Sequence, residues 1–191
     1  MAVETEIKLR LPQGAEHARA HLQQHGFHPA GPRHLETDQL FDLPVHELRQ
    51  TGRVLRLRST GSRWILTYKG AVEKAPGGET RHKSREEIET EISDGAAFEQ
   101  ILMGLGYQPS FRYEKFRTIF RASGEPGIVT LDETPIGDFL ELEGPGYWID
   151  QTAERLGFVP GDYVVSSYAT LYEEYRRTHK TVPRDMQFHR P

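Results

Sequence analysis

Cysteine is absent from this 191-residue chain, which excludes disulfides and thiolate metal sites. Long apolar runs are missing too: nothing approaches the roughly 20 residues of a membrane-spanning helix. The first residues lack the basic-then-apolar pattern of a secretory leader. There is no basic excess either; the formal net charge is -4, where nucleic-acid binders carry a surplus of lysine and arginine. The phosphate-cradling loop G-x-x-x-x-G-K-[ST] does not occur. The expectation is a soluble cytoplasmic protein with neither a nucleic-acid partner nor a membrane span. Its length fits one domain with a real core. Hydrophobic residues are scarce at 36%, which fits a partly polar interior, although loops and a solvated tail would lower the share equally.

Local patterns place the elements. Residues 2–11 read as a strand ending at Pro12, and 14–26 as a helix with an apolar stripe of Ala15, Ala18 and Leu22 and with Gly26 as its C-cap. That helix carries His17, His21 and His25 at i, i+4 and i+8, a spacing commoner on plain helix surfaces than in metal sites. Residues 35–43 are extended and 44–52 form a turn or short helix. Residues 53–60 and 63–70 form a hairpin. Residues 71–83 hold Pro76, Gly77 and Gly78 among charges and read as a mobile surface loop, with a lid as the functional alternative. Strands follow at 84–92, 111–121, 128–132 and 139–143. Helices follow from Asp94 to about 106 and over 147–156 and 167–177. About eight strands with turn-length connections point to an antiparallel sheet that curls or closes, with helices outside: an α+β protein.

What is abundant is charge in period two. A strand sends alternate side chains to opposite faces, so Glu4, Glu6, Lys8 and Arg10 share one face of the first strand, opposite Val3, Thr5, Ile7 and Leu9. The pattern returns as Arg56-x-Arg58, as Arg85, Glu87, Glu89 and Glu91, as Lys115-x-Arg117, and as Glu141-x-Glu143, with Lys69 and Asp132 ending strands of their own. Any one such face could simply look into water. The sorting by sign is what a solvent face does not require, because two like charges about 4 Å apart repel by roughly 4 kcal/mol at an effective dielectric near 20. Converging carboxylates need a cation between them, and converging arginines and lysines need an anion. Oxygen-only donors favour a hard ion such as Mg²⁺ or Mn²⁺. The planar fork of arginine and the point charge of lysine suit phosphate oxygens. Both sets around one cavity describe a site for a metal-bound polyphosphate.

Taken in chain order, Glu4-x-Glu6-x-Lys8, Arg56-x-Arg58, Lys69, Arg85/Glu87/Glu89, Lys115-x-Arg117, Asp132 and Glu141-x-Glu143 resemble the CYTH family, the triphosphate tunnel metalloenzymes, over about residues 2–175. The resemblance implies an eight-stranded antiparallel β-barrel, a tunnel with helices packed outside, in a single domain over 1–178. Residues 179–191 are then a polar tail expected to fray. It implies that Glu4, Glu6, Glu141 and Glu143, with Glu87 or Glu89, bind the divalent metal, Mg²⁺ or Mn²⁺. Lys8, Arg56, Arg58, Lys69, Lys115 and Arg117 would bind the triphosphate; Arg10 and Arg85 share these faces but match the signature less clearly. Glu4, Glu6, Lys8, Lys69 and Asp132 would be the catalytic set, with Asp132 positioning a basic residue or acting through water. Ser166-Ser167-Tyr168 resembles a C-terminal Ser-Tyr element of the family.

The implied activity is metal-dependent hydrolysis of inorganic tripolyphosphate or of an organic or nucleoside triphosphate. The alternative is a class IV adenylate cyclase, which forms cyclic AMP and pyrophosphate from ATP. No purine-reading signature is present, and ordinary packing accounts for Trp64 and Trp148. A non-catalytic polyphosphate-binding module ranks lower, since both Glu-x-Glu pairs are intact. The expected partner is the small-molecule triphosphate alone, bound by a monomer or homodimer.

Overall fold

Period-two strands close here into a barrel whose charged side faces inward. The computed structural model describes residues 2–73 and 81–189. In chain order these form β1 (Ala2–Arg10), α1 (Gly14–Gln24), β2 (His28–Pro29), β3 (His34–Asp42), α2 (Glu47–Gln50), β4 (Val54–Thr60), β5 (Arg63–Lys69) and β6 (Lys83–Ile92). Then come α3 (Gly95–Gly104), β7 (Gln108–Arg121), β8 (Ile128–Thr134), β9 (Gly137–Glu143), α4 (Gly146–Arg155), β10 (Tyr163–Val164) and α5 (Tyr168–Thr178). Around the barrel the order is β1-β6-β5-β4-β3-β7-β8-β9, and β9 pairs back onto β1. Every one of these pairings is antiparallel, so the expected closed eight-stranded barrel is what forms. The two-residue strands β2 and β10 add to β7 and β1.

With the interior given to charge, the apolar core lies outside the sheet. Ile7 and Leu9 of β1, Val129 and Leu131 of β8, and Leu140 and Leu142 of β9 pack with Leu22 of α1 and Trp148, Ile149 and Ala153 of α4. A second cluster sets α3 against β3 and β4 through Leu102, Phe41 and Leu57. Helix ends follow local chemistry. Asp94 caps α3 by accepting from the Ala97 N–H at 2.9 Å. Gly26, in the left-handed region at φ +82°, lets the chain turn after α1. The N-terminus of α1 is capped from afar: Asp138 accepts from the Ala15 N–H at 2.8 Å.

Two expectations change. Of the loop at 71–83, with its lid reading, residues 74–80 lie outside the described residues, while Lys83 already belongs to β6. The tail beyond Thr178, expected to fray, docks on the barrel within its described residues, 179–189. β8 pairs β7 only at Phe116–Phe120, which leaves the same edge of β7 open further back. Met186 fills it, donating its N–H to the Arg112 carbonyl at 3.0 Å and accepting from the Glu114 N–H at 2.8 Å. Its side chain is 0% exposed, packed with Tyr113, Tyr168 and Tyr172. The Tyr172 hydroxyl holds the same segment through the Pro183 carbonyl at 2.9 Å. Met186→Ala should therefore destabilise the protein by about 2–5 kcal/mol, read as a lowered urea midpoint with unchanged slope. A variant as stable as the parent would mean that the tail only rests on the barrel.

Candidate active site

Cross-strand register brings opposite charges face to face inside the barrel. Glu6 lies opposite Lys83, Lys8 opposite Glu141, Lys69 opposite Glu87, Arg58 opposite Asp38, Lys115 opposite Glu36, and Arg117 opposite Asp132. Directly opposed pairs of unlike charge are the favourable arrangement in a sheet. The result is a cavity of about 200 Å³ inside the barrel. Lys8, Arg56, Arg58, Lys69, Lys83, Arg85, Lys115 and Arg117 line it beside Glu4, Glu6, Glu87, Glu89, Glu141 and Glu143, with Tyr113 and Tyr168 among them.

Its charges fall into three groups. At one end Lys69 Nζ lies 2.5 Å from Glu4 and 3.1 Å from Glu87. This single ammonium does not offset the crowding of acids. Burial and the contact with Glu4 push Glu87 up to about 8, against Lys69. Burial and the Glu4 charge push Glu143 up to about 7. In the middle, Glu6 lies 3.0 Å from Lys83 and 3.4 Å from Lys8, and Lys8 lies 3.1 Å from Glu141. Burial would raise the Glu6 carboxyl, but Lys8 and Lys83 outweigh it and hold the group far below its usual range. Burial, with Lys8 and Arg85 nearby, lowers Lys83 to about 8 despite the attraction of Glu6.

The third group is the cationic wall and its buried supports. Arg58 donates to Asp38 at 2.8 and 3.3 Å and lies 3.1 Å from Glu36. Arg56 reaches Asp38 at 3.4 Å, Glu89 at 3.1 Å and the Thr67 hydroxyl at 2.9 Å. Lys115 and Arg117 both donate to Asp132 at 2.7 Å, and Arg117 also contacts Glu141. The Tyr168 hydroxyl, from the first turn of α5, completes the coordination of Asp132 at 2.8 Å. The Lys8 and Lys115 ammoniums lie 5.3 and 5.1 Å from the Tyr168 ring centre, within cation–π range. Burial, then the Asp132 charge, keeps the Tyr168 hydroxyl protonated well above its ordinary range.

Of the residues singled out from the sequence, Glu4, Glu6, Lys8, Arg56, Arg58, Lys69, Arg85, Glu87, Glu89, Lys115, Arg117, Glu141 and Glu143 come together around this cavity. Asp132 lies beneath it, holding two of its cations. Arg10 does not join them. It ends β1, is exposed, and its guanidinium lies 5.2 Å from the Phe139 ring centre. Glu91 is likewise outside, paired with Arg63 at 2.6 Å. Trp64 and Trp148 pack in apolar clusters away from the cavity. The histidine face of α1 makes structural bonds: His21 reaches the Leu156 carbonyl at 3.2 Å and His25 the His21 carbonyl at 2.9 Å. Sequence reasoning missed Glu36, Asp38 and Lys83. The same period-two rule would have found them, as Glu36-x-Asp38 on β3 and as Lys83-x-Arg85 extending β6 backward.

The donor set is all oxygen and carries excess acid where Glu4, Glu87 and Glu143 crowd around Lys69, so its chemistry fits a hard divalent cation. In the arrangement described, most of these carboxylates are engaged by lysine or arginine. Among the described residues, no three histidine or carboxylate groups form a metal-holding cluster.

Comparison with known proteins agrees with the architecture. The CYTH domain profile matches residues 2–150. A provisionally named adenylate cyclase of Methanocaldococcus jannaschii is 30% identical over 141 residues, covering 74% of this chain and 76% of that protein. A provisionally named adenylate cyclase structure from Vibrio parahaemolyticus superposes with a TM-score of 0.73 at 20% identity, covering 89% of this chain and 97% of that one. A Hippeastrum protein named as an adenylyl cyclase, and described as having a dominant triphosphatase activity, superposes at 0.64 with 20% identity, covering 96% and 98%. Among the described residues, no helix is long and apolar enough to cross a membrane. With its profile match, its barrel and its charged interior in agreement, the chain belongs to the CYTH domain family.

Proposed function

We propose that the chain hydrolyses a triphosphate in a divalent-metal-dependent reaction within the barrel. The observation that carries this reading is the meeting of eight cationic and six acidic side chains around one cavity of about 200 Å³. Lys8, Arg56, Arg58, Lys69, Lys115 and Arg117, joined by Lys83 and Arg85, bind and align the phosphate oxygens. They also offset the charge that grows on the leaving phosphate as water attacks phosphorus and the bridging P–O bond breaks. Glu4, Glu6, Glu87, Glu89, Glu141 and Glu143 are the residues that would hold Mg²⁺ or Mn²⁺, which supplies charge neutralisation on the phosphates when bound. Asp132 and Tyr168 fix the Lys115/Arg117 pair against the wall and act as positioning residues.

The second reading, cyclisation of ATP, draws on the name of the M. jannaschii relative. The Hippeastrum protein bears a cyclase name beside a dominant triphosphatase activity, so the name alone does not separate the two reactions. Products do. Incubation with ATP and Mg²⁺ or Mn²⁺ should release orthophosphate or pyrophosphate without cyclic AMP, and cyclic AMP as the main product would reverse the order. Metal binding is separately testable by thermal unfolding. At roughly 100 times its dissociation constant, a ligand specific to the folded state adds about 2.7 kcal/mol. For a chain of this size that raises the midpoint by about 5–10 °C. No rise with either metal up to about 10 mM, roughly ten times the dissociation constants of the weakest protein sites, would remove the metal from the proposal.

A further inference from the structure

His34 opens β3 on the same face as Glu36 and Asp38, and strand register sets it opposite Arg117. Its Nδ1 lies 3.1 Å from the Pro32 carbonyl, and a carbonyl only accepts, so Nδ1 carries a hydrogen. The other ring nitrogen, Nε2, lies 3.5 Å from Glu36 Oε1. In a neutral ring held this way Nε2 is a lone pair set against a carboxylate; in the imidazolium it is a donor. The contact therefore favours the protonated ring. Glu36 accordingly raises His34 above its ordinary value, against the effect of burial. The side chain is 35% exposed, so the ring exchanges its proton directly with solvent.

Glu36 is where that proton is felt. It is buried, and burial would raise its carboxyl, but Arg117, Arg58 and Lys115 hold it well below the usual carboxylate range. It stays ionised. Its Oε2 lies 3.1 Å from Arg58, 3.5 Å from Lys115 and 3.7 Å from Arg117, yet makes no hydrogen bond among the described residues. A carboxylate held by charge from three sides, without a directed bond, is free to share that charge with a fourth cation. Other acids close by are already taken: Asp38 by Arg58 at 2.8 Å, Asp132 by Lys115 and Arg117 at 2.7 Å, and Glu133 of β8 by Arg33 at 2.8 Å. Arg58, Lys115 and Arg117 all line the charged cavity.

We propose that His34 is a positioning residue that acts through Glu36. Its protonated ring draws on the Glu36 charge and leaves Arg58, Lys115 and Arg117 freer for phosphate oxygens. The barrel then takes up a polyphosphate and a proton together, and each strengthens the binding of the other. This deepens the proposed function and rests on its reading of these three cations as phosphate ligands.

The test is calorimetric binding of tripolyphosphate, free of divalent metal, at pH 6.0, 7.25 and 8.5 to the parent, His34→Gln and His34→Lys. Comparing proteins at one pH removes the protonation of tripolyphosphate itself. It also removes Glu143, at about 7, and Glu87 and Lys83, at about 8, which titrate in all three proteins. At pH 6.0 His34→Gln should bind about fivefold more weakly than the parent, the low end of coupling between sites, and at pH 8.5 the two should agree within about twofold. His34→Lys, charged throughout, should bind about fivefold more tightly than the parent at pH 8.5. In the parent, saturating tripolyphosphate should raise the titration midpoint of the His34 ring-proton signal by the same factor, about 0.7 pH unit. That signal is assigned by its loss in His34→Gln. A Gln variant weakened equally at every pH gives His34 a fixed structural role and overturns the coupling, as does a midpoint that tripolyphosphate leaves in place. A parent that binds no tripolyphosphate without metal also overturns it. If Mg²⁺- and Mn²⁺-dependent turnover is absent too, the proposed function falls with it.

Discussion

Glu4→Gln combined with Glu6→Gln should abolish metal-dependent turnover while leaving the barrel folded. Loss of a metal worth about 4 kcal/mol to the transition state lowers the rate on the order of a thousandfold. The two substitutions are not equivalent for stability. Glu4 raises Glu87 and Glu143, yet Glu87 and Lys69 hold it below its own ordinary range against burial, so its neutralisation relieves repulsion on its neighbours while giving up the contact with Lys69. Glu6 is different, because it is the carboxylate that Lys83 touches, and Lys83 is buried. In Glu6→Gln that ammonium loses its counter-charge and gives up its proton more readily still. The sign follows from linkage. A lysine held below its ordinary 10.5 binds fewer protons folded than unfolded, so stability rises with pH between the two values. In the parent that rise begins near pH 8; in Glu6→Gln it begins lower. Metal-free urea denaturation at pH 7, 8 and 9.5 reads this rise against the opposite fall from Glu87 and Glu143, raised to about 8 and about 7, so the lysine contribution stands clear in the step from pH 8 to 9.5. A double variant that is unfolded at pH 8 would assign these glutamates a structural role. Full turnover in a folded double variant would leave the metal, if any, to Glu87, Glu141 and Glu143.

Much of this site could be read from the sequence because strand parity is local. Glu4-x-Glu6-x-Lys8 predicts a shared face whatever the strand pairs with, and so do Arg56-x-Arg58 and Glu141-x-Glu143. Whether such a face looks inward is not local. It depends on β9 returning to β1, and only the recurrence of sorted charge in distant strands hinted at it. Parity also says nothing about where a strand leaves the barrel, which is why Arg10 shares the face of Lys8 yet stands in solvent over Phe139. Lys83 is masked by its neighbours: Pro76, Gly77 and Gly78 dominate the reading of that stretch, and the strand begins at Lys83, one residue before the expected 84–92. Glu36 and Asp38 sit among Leu35, Leu40 and Phe41, where an extended segment was evident but its acidic face was not followed. The tail offered only Val182, Met186 and Phe188 as spaced apolar residues in a polar run, and the edge of β7 that Met186 meets lies about 70 positions away in the chain.

Asp132→Asn should be the most destabilising single change in the cavity floor. The carboxylate is 0% exposed and accepts from Lys115, Arg117 and Tyr168 together. Breaking a buried ionic cluster from one side leaves uncompensated charge and costs about 3–5 kcal/mol. Here Glu36 lies 3.5 and 3.7 Å from the same two cations, and Glu141 also reaches them, so the lower end applies. About 3 kcal/mol corresponds to a midpoint lowered by roughly 6–12 °C. The lost charge can be replaced from the other side of the same cations. On the proposed function a bound polyphosphate would present its oxygens to Lys115 and Arg117, so saturating tripolyphosphate should recover more of the midpoint in Asp132→Asn than it adds to the parent. Tyr168→Phe removes one hydrogen bond but keeps the ring beneath Lys8 and Lys115, and it should cost only about 1 kcal/mol. If Asp132→Asn melts with the parent, Glu36 and Glu141 already balance these cations, and Asp132 serves only to orient them. If polyphosphate stabilises parent and variant equally, Lys115 and Arg117 do not face the substrate.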